Sequence, residues 1–481
     1  MIRNTKLLFT FLIIFITLNA CKGFLDINED PNNPTEVPID GLMINSAFET
    51  AQNTFRVSSV SSYFVQHLAS PNASNSTDIH AAVSYNALWS ALYYNLNDLK
   101  ILTAKATEKN APHYAGPAKI MMAYNLSLLV NVFGDVPYTQ AFTAGLLQPE
   151  YDLSEDLYDE ILSLITEALA ALSAENSSMA PLNDDFFFGG NRDAWKMTAY
   201  ALKARILNHL SKKSVYDPEA ILSAVDLAFQ SNADDFEMAC FSSPAEAQNP
   251  WYRTALLNQG LNLGGWLSKQ TMDQLNGTYF GVEDPRISRI TDPATNENFP
   301  EFMGQYIGTR NGAGRESAPE QGVRAVLKLG SWYAANPTQV LEIITFSELK
   351  FIEAEAALVS GDRARAYAAY ESGIRAQMAK IGVTQEEIQA YWENAVVSVG
   401  ADDLRINEIM KEKYIATFLN PESWNDARRF NYNYHGFQAP QNSALGGEMI
   451  RLARYPDSEL QRNQYNVPDR TMLDRVFWDE E

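Results

Sequence analysis

Apolar residues in this chain return every third or fourth position in segment after segment, and sustained every-second alternation is absent. That period gathers them on one face of a helix, so the chain must bury helical faces against one another rather than build large sheets. Leu157, Ile161, Leu164, Ile165, Ala168 and Leu172 form one stripe, with Ser154 as candidate cap and Glu155 and Asp156 in the first turn. Leu88, Leu92, Leu96 and Leu99 form a second; Leu126, Leu129, Val130 and Phe133 form a third that Gly134 stops. Trp195, Ala199, Leu202, Ile206 and Leu210 make a fourth. Asp217-Pro218 opens a fifth, carrying Ile221, Val225 and Phe229, with proline at the first helical position. The expected fold class is mainly α.

One hairpin indicates how the helices pair. TFSELKFIEAEAALVS runs from Thr345 to Ser360, Gly361 ends it, and Asp362 caps RARAYAAYESGIRA. Ala366, Tyr370 and Gly373 then fall at the small-large-small spacing of a tetratricopeptide repeat, where small residues let two antiparallel helices approach. No clean 34-residue self-similarity recurs elsewhere, so further repeats would be degenerate. Residues 241–340 read differently. They hold NPWYRT, GGWLSK, GTYFG, DPR, GQYIGTRNGAG and GSWYAANP, without sustained helical period. So long an irregular stretch is functional or disordered, and its aromatic load argues against disorder.

The N-terminus carries an address. Arg3 and Lys6 precede the uncharged run LLFTFLIIFITL, too short to span a bilayer and of the length of a secretion signal. Leu18-Asn19-Ala20-Cys21 resembles a bacterial lipobox, in which the cysteine is acylated and becomes the first mature residue. The expected organisation is therefore a signal peptide over 1–20, a lipidated tether over 21–38 and one helical domain over 39–481. Asp26, Asn28 and Asp30 alternate like calcium ligands, but the sixth and twelfth loop positions are Pro31 and Val37 rather than Gly and Glu. The mature chain keeps only Cys240, a small hydrophobe unable to pair within the chain. The formal net charge is −22, and losing Arg3 and Lys6 deepens it, which excludes nucleic acid as a partner.

AYNLSLLVNVFGDVPYTQAF, at 123–142, resembles the FGDVPY signature of the SusD/RagB family of nutrient-binding outer-membrane lipoproteins. The likeness continues in order through WKMTAYALKARILNHL, the NPWY and DPR segments, FSELKFIEAEAAL, EIMKEKYIATFLNPESWNDARRF and RYPDSELQRNQYN. It covers essentially the whole mature chain. The resemblance implies a single domain of tetratricopeptide-like helix pairs with a loop-rich ligand-binding portion. It also implies a lid, anchored through Cys21 on the outer face of the outer membrane, over a SusC-type TonB-dependent transporter. Such a protein binds oligosaccharides, or in some members peptides, delivers them for import, and is not an enzyme.

The residues themselves offer little for catalysis. The five histidines are scattered, with no HExxH pair for zinc, no GxSxG elbow and no phosphate-cradling loop. No cofactor or metal is expected. Glu353 and Glu355, the most tempting carboxylates, are two apart on a helix and diverge. A structural surface lipoprotein without a small ligand is the third class, and the aromatic-rich region weighs against it. Sugar rings lay their C–H faces on aromatic side chains while hydroxyls pair with polar groups. The candidate ligand pool is therefore Trp251, Tyr252, Trp266, Tyr279, Trp332 and Tyr333. The resemblance adds the loop SPNASNSTDIHAAVSYN, offering Asn72, Asn75, His80 and Tyr85. For each Trp in a Gly-rich loop the alternative is a packing anchor, and for His80 a solvated loop position. Trp89, Trp195 and Trp424 fall in helical pattern and read as core; Asp284-Pro285-Arg286 and Gly134-Asp135 read as turns and ion-paired caps.

Overall fold

The stripes become helices where the period places them. The computed structural model describes residues 37–261, 264–315 and 323–480; Cys21, the leader and residues 21–36 of the tether lie outside these. The first six helices are α1 (Ile39–Phe64), α2 (Asn86–Glu108), α3 (Pro112–Phe133), α4 (Ser154–Leu172), α5 (Arg192–His209) and α6 (Pro218–Asp226). Each packs on the next in the chain. Leu88, Leu92, Leu96 and Leu99 are buried in α2, as are Leu157, Ile161, Leu164, Ile165, Ala168 and Leu172 in α4. Trp89, Trp195 and Trp424 are core. Helix α3 lies at the centre, buried at every position except Pro112 and Lys119.

Helix α1 has a different basis. Its buried face carries Ser46, Thr50, Asn53, Thr54, Ser58, Ser61 and Ser62, so apolar period hardly marks it. Asn53, Thr50 and Thr54 pair across helices: the Asn53 amide donates to Asn125 at 3.0 Å, Asn125 and Asn95 donate to the Thr50 hydroxyl at 2.9 and 3.1 Å, and the Thr54 and Tyr124 hydroxyls meet at 2.9 Å. These bonds offset the cost of burying the amides and the threonine hydroxyls.

Ser154 is the first helical residue of α4 rather than its cap. The cap comes from outside: the Asp135 carboxylate accepts the Ser154 N–H at 2.8 Å. Its other oxygen takes the Arg470 guanidinium, and the Tyr455 hydroxyl donates to the Asp135 carbonyl at 2.8 Å. FGDVPY is thus a joint at which α3, α4 and the C-terminal segment meet.

The irregular region contains more helix than its composition suggests: α7 (Pro250–Leu261), α8 (Lys269–Leu275) and the single turn α9 (Ile287–Ile290). NPWY begins α7. Asn249 caps it, accepting from the N–H groups of Trp251 and Tyr252 at 2.9 Å, and Pro250 supplies the first helical residue. Four short strands make two antiparallel pairs: β1 (Leu68–Ala69) with β3 (Trp266–Leu267), and β2 (Phe236–Met238) with β4 (Leu341–Ile344).

The predicted hairpin is α10 (Phe346–Ser360) and α11 (Arg363–Lys380), capped by Thr345 and Asp362 and separated by left-handed Gly361. Gly373 fits because a Cβ there would stand 3.0 Å from the Phe351 ring. Helices α12 (Gln385–Trp392), α13 (Ile406–Ala416), α14 (Glu422–Arg429) and α15 (Asp457–Arg462) complete the described chain. The carboxylates of α10 are structural. Glu355 takes Arg429 at 2.6 Å, Glu348 takes Arg205 at 2.6 Å, and Glu353 takes Lys350 and Arg365 at 2.7 Å. Arg286 of the DPR turn is fully buried between Asp284 and Glu412.

Candidate functional site

Three loops that are distant in sequence meet beside β1 and α8. The first, residues 70–85, is held by Asp78, whose carboxylate accepts from Ser70 N–H at 3.2 Å, Gly312 N–H at 2.7 Å and the Asn311 amide at 2.7 Å. Burial pushes the Asp78 carboxyl up to about 6 against these donors. The second, GTRNGAG, passes so close to the others that glycine is required. A Cβ at Gly312, whose φ is +80°, would collide with the Gln441 carbonyl, and one at Gly314 with the Ala73 backbone. The third loop, 436–444, is tied in by Gln441 N–H to the Asn311 carbonyl and Ala444 N–H to the Ile79 carbonyl, both 2.8 Å.

The second and third loops, with α8, Thr278, Tyr279 and Gln66, line a hollow of about 370 Å³. Tyr279, Gln66, Lys269, Gln270, Asp273 and Arg310 stand in its wall. Gly436 lines it and also a neighbouring hollow of about 460 Å³, walled by Phe280, Gln274, Lys411, Tyr434 and His435. Between the two stand Tyr279, Phe280 and His435, with ring centres 5.1 Å apart for Tyr279–His435 and 5.8 Å for Phe280–His435. The Lys411 ammonium sits 4.3 Å from the centre of the Phe280 ring. Together the hollows form a trough with an aromatic ridge and mixed charge. Its second wall has unmet hydrogen-bonding capacity: both ends of the Gln274 carboxamide and the Tyr434 hydroxyl are buried without a partner.

Of the sequence-derived aromatics, Tyr279 alone lines either hollow. Trp251 is buried against Phe55, with ring centres 4.9 Å apart. Trp266 is fully buried in β3, and Tyr333 packs on Phe418 at 5.1 Å. Trp332 is half-buried, its indole N–H donated to Glu342 at 2.8 Å. With Trp251 and Tyr333 it borders a crevice of about 20 Å³, room for about one water molecule. Tyr252 is half-buried on α7, away from the trough walls. These rings give an irregular segment the core that regular secondary structure does not.

The first loop divides similarly. His80 is not a solvated loop position: it is completely buried at φ +60°, edge-on to Phe64 at 5.6 Å, and lines neither hollow. Burial lowers its imidazole to about 3, so the ring is neutral. Asn75 folds back to accept from Thr77 and Asp78 N–H groups, and Tyr85 lies half-buried beside Thr77. Asn72 is exposed and accepts from Arg315 at 3.2 Å. Gln66, Phe280, Arg310 and residues of the 436–440 segment line the hollows although they are outside the pool the sequence suggests. The left-handed φ of +56° at Gln66 is invisible in sequence, whereas the glycines around Arg310 were a legible sign of close backbone approach. Cys240 is half-buried and free, and burial raises its thiol to about 11. Among the described residues no group of His, Cys, Asp or Glu could hold a metal ion, and no helix is long and apolar enough to cross a membrane.

Comparison with known proteins agrees with this architecture. The SusD-like_2 family, described as "Starch-binding associating with outer membrane", matches residues 31–456. A SusD/RagB family protein from Bacteroides thetaiotaomicron superposes with a TM-score of 0.73 at 21% identity, over 92% of this chain and 99% of its own. A SusD homologue from Bacteroides fragilis gives 0.75 at 19% identity, over 93% and 100%. A chitin-binding SusD homologue from Flavobacterium johnsoniae gives 0.72 at 20%, over 92% and 98%. No curated protein matches. The superpositions show the fold, and the family model, spanning residues 31–456, shows that this chain belongs to the SusD/RagB family of outer-membrane-associated binding proteins, which are not enzymes.

Proposed function

We propose that this protein is a cell-surface lipoprotein, acylated at Cys21, that captures an oligosaccharide in the trough beside Tyr279 and passes it to a SusC-type TonB-dependent transporter. The observation that carries the ligand class is the unpaired capacity of Gln274 and Tyr434 in a wall adjoining the Tyr279–Phe280–His435 ridge. A buried polar group without a partner costs about 1–3 kcal/mol. Sugar hydroxyls both donate and accept, so a glycan lying on the ridge can satisfy both groups after a small side-chain rotation. The family's description and the chitin-binding relative favour a glycan over a peptide. Exposed Arg310 offers a polar contact in the trough's wall.

The test titrates the mature protein without Cys21 against malto-oligosaccharides, chitin oligosaccharides and a peptide panel, by calorimetry. Saturable binding to a glycan, weakened about tenfold or more (about 1.4 kcal/mol) by Tyr279→Ala with an unchanged circular dichroism spectrum, is the expected result. Saturable peptide binding, or glycan binding indifferent to Tyr279→Ala, would sink this reading.

A further inference from the structure

The most exposed large apolar side chains among the described residues are Leu147 at 86%, Tyr465 at 82% and Tyr94 at 73%. They come from three separate segments; the third, Tyr94, lines a cleft, and the segments carrying the other two are tied to its wall. Tyr94 lines it directly, with Trp89, Tyr93, Asn97, Phe142, Pro149 and Glu459, around about 400 Å³. The segments that carry Leu147 and Tyr465 are joined beside Pro149, which lines the cleft. The Asn466 amide donates to the carbonyls of Gln148 at 3.0 Å and Pro149 at 3.2 Å, and Asn463 donates to Pro149 at 2.9 Å. The cleft shares no lining residue with either hollow of the trough.

The floor is rigid. Tyr93 donates its hydroxyl to the Pro137 carbonyl at 2.6 Å, and its ring centre is 4.9 Å from Trp89 and 6.3 Å from Phe142. Lys100 lies 4.9 Å from the centre of the Phe142 ring. Tyr94 stands over this floor with its ring open to solvent. Exposed apolar groups gathered at one place mark an interaction site.

Glu459 distinguishes the kinds of ligand. Its Oε2 is held by the Tyr151 hydroxyl at 3.0 Å and the Asn463 amide at 3.3 Å, both neutral donors. A protein surface closing over this cleft would strand a carboxylate at the centre of an apolar interface, which such interfaces avoid. A sugar would not, since its hydroxyls donate to carboxylates while its ring lies on an aromatic face.

We propose that this cleft is a second carbohydrate-binding site, with Tyr94 as the stacking platform and Glu459 and Asn97 as hydroxyl partners. The proposal rests on the glycan reading of the trough, and the two can fail separately. The mature protein without Cys21 is titrated by calorimetry with maltoheptaose and with chitin hexasaccharide. Two binding events per chain are expected for the sugar that binds, one abolished by Tyr94→Ala and the other by Tyr279→Ala. Glu459→Gln should weaken the Tyr94-dependent event about tenfold while leaving the other unchanged. A single event lost in Tyr279→Ala and untouched by Tyr94→Ala overturns the second site and leaves the trough intact; a protein-docking cleft would give that result. No binding of either sugar at either place overturns both.

Discussion

At the scale of single residues, Gly312 decides whether the three loops can meet. Its neighbours leave no volume for a methyl group, and its φ of +80° is one that L side chains rarely adopt. The backbone conformation alone costs an alanine roughly 1–2 kcal/mol, and the collision with the Gln441 carbonyl adds to it. Gly312→Ala should therefore lower the melting temperature and abolish ligand capture together, because the clash falls between two walls of the trough. Thermal unfolding and calorimetry on one preparation check this; a variant as stable as the parent and binding normally would show that the loops do not depend on this approach. Tyr279→Ala should instead leave the melting temperature within a degree or two while binding falls.

At the scale of elements, α10 shows why this family of helices carries acids at buried positions. Glu355 is buried, which by itself would push its carboxyl up, but Arg429 with Lys413 and the Asn208 amide holds it at about 2, against an ordinary 4.5. A folded-state value below the unfolded one stabilises the protein above pH 4.5, and that contribution is lost as pH falls through 2. The gap corresponds to roughly 3 kcal/mol. Glu355→Gln should be less stable at neutral pH and flatter in its stability between pH 4.5 and 2, read from urea midpoints across that range. Parallel curves for parent and variant would refute the assignment. Apolar stripes predicted α2, α4 and the α10–α11 hairpin because burial is a local demand that recurs with helical period. Helix α1 was hidden because serines, threonines and an asparagine interrupt its buried apolar face, with Thr50, Asn53 and Thr54 bonded to side chains of α2 and α3. Trp251 and Trp266 looked like ligand platforms for a related reason: composition reports an aromatic, and only tertiary packing says whether its face is covered. Tyr279 and Arg310 could be picked from Gly-rich segments, whereas the 436–440 wall has no local signature and is defined by what it packs against.

For the whole molecule, the acylation proposed at Cys21 is the testable part of the address. Cys21→Ala should move the protein from the membrane fraction to a soluble one and end labelling by a radioactive fatty acid, with the body's fold unchanged. Fractionation of cells expressing each form checks this, and a variant that stays labelled would place the lipid elsewhere. The trough has a consequence in time as well as in space. Its walls are joined by contacts such as the Gln66 amide to the Gln438 carbonyl, 372 residues apart, and Asn442 to Ser74, 368 apart. Closing loops of that length costs entropy before any contact rewards it, and such pairings form late. A chain released before its last tenth is made can possess nearly every helix and still lack the 436–440 wall, so the hollow exists only once that late segment has been made and has folded back.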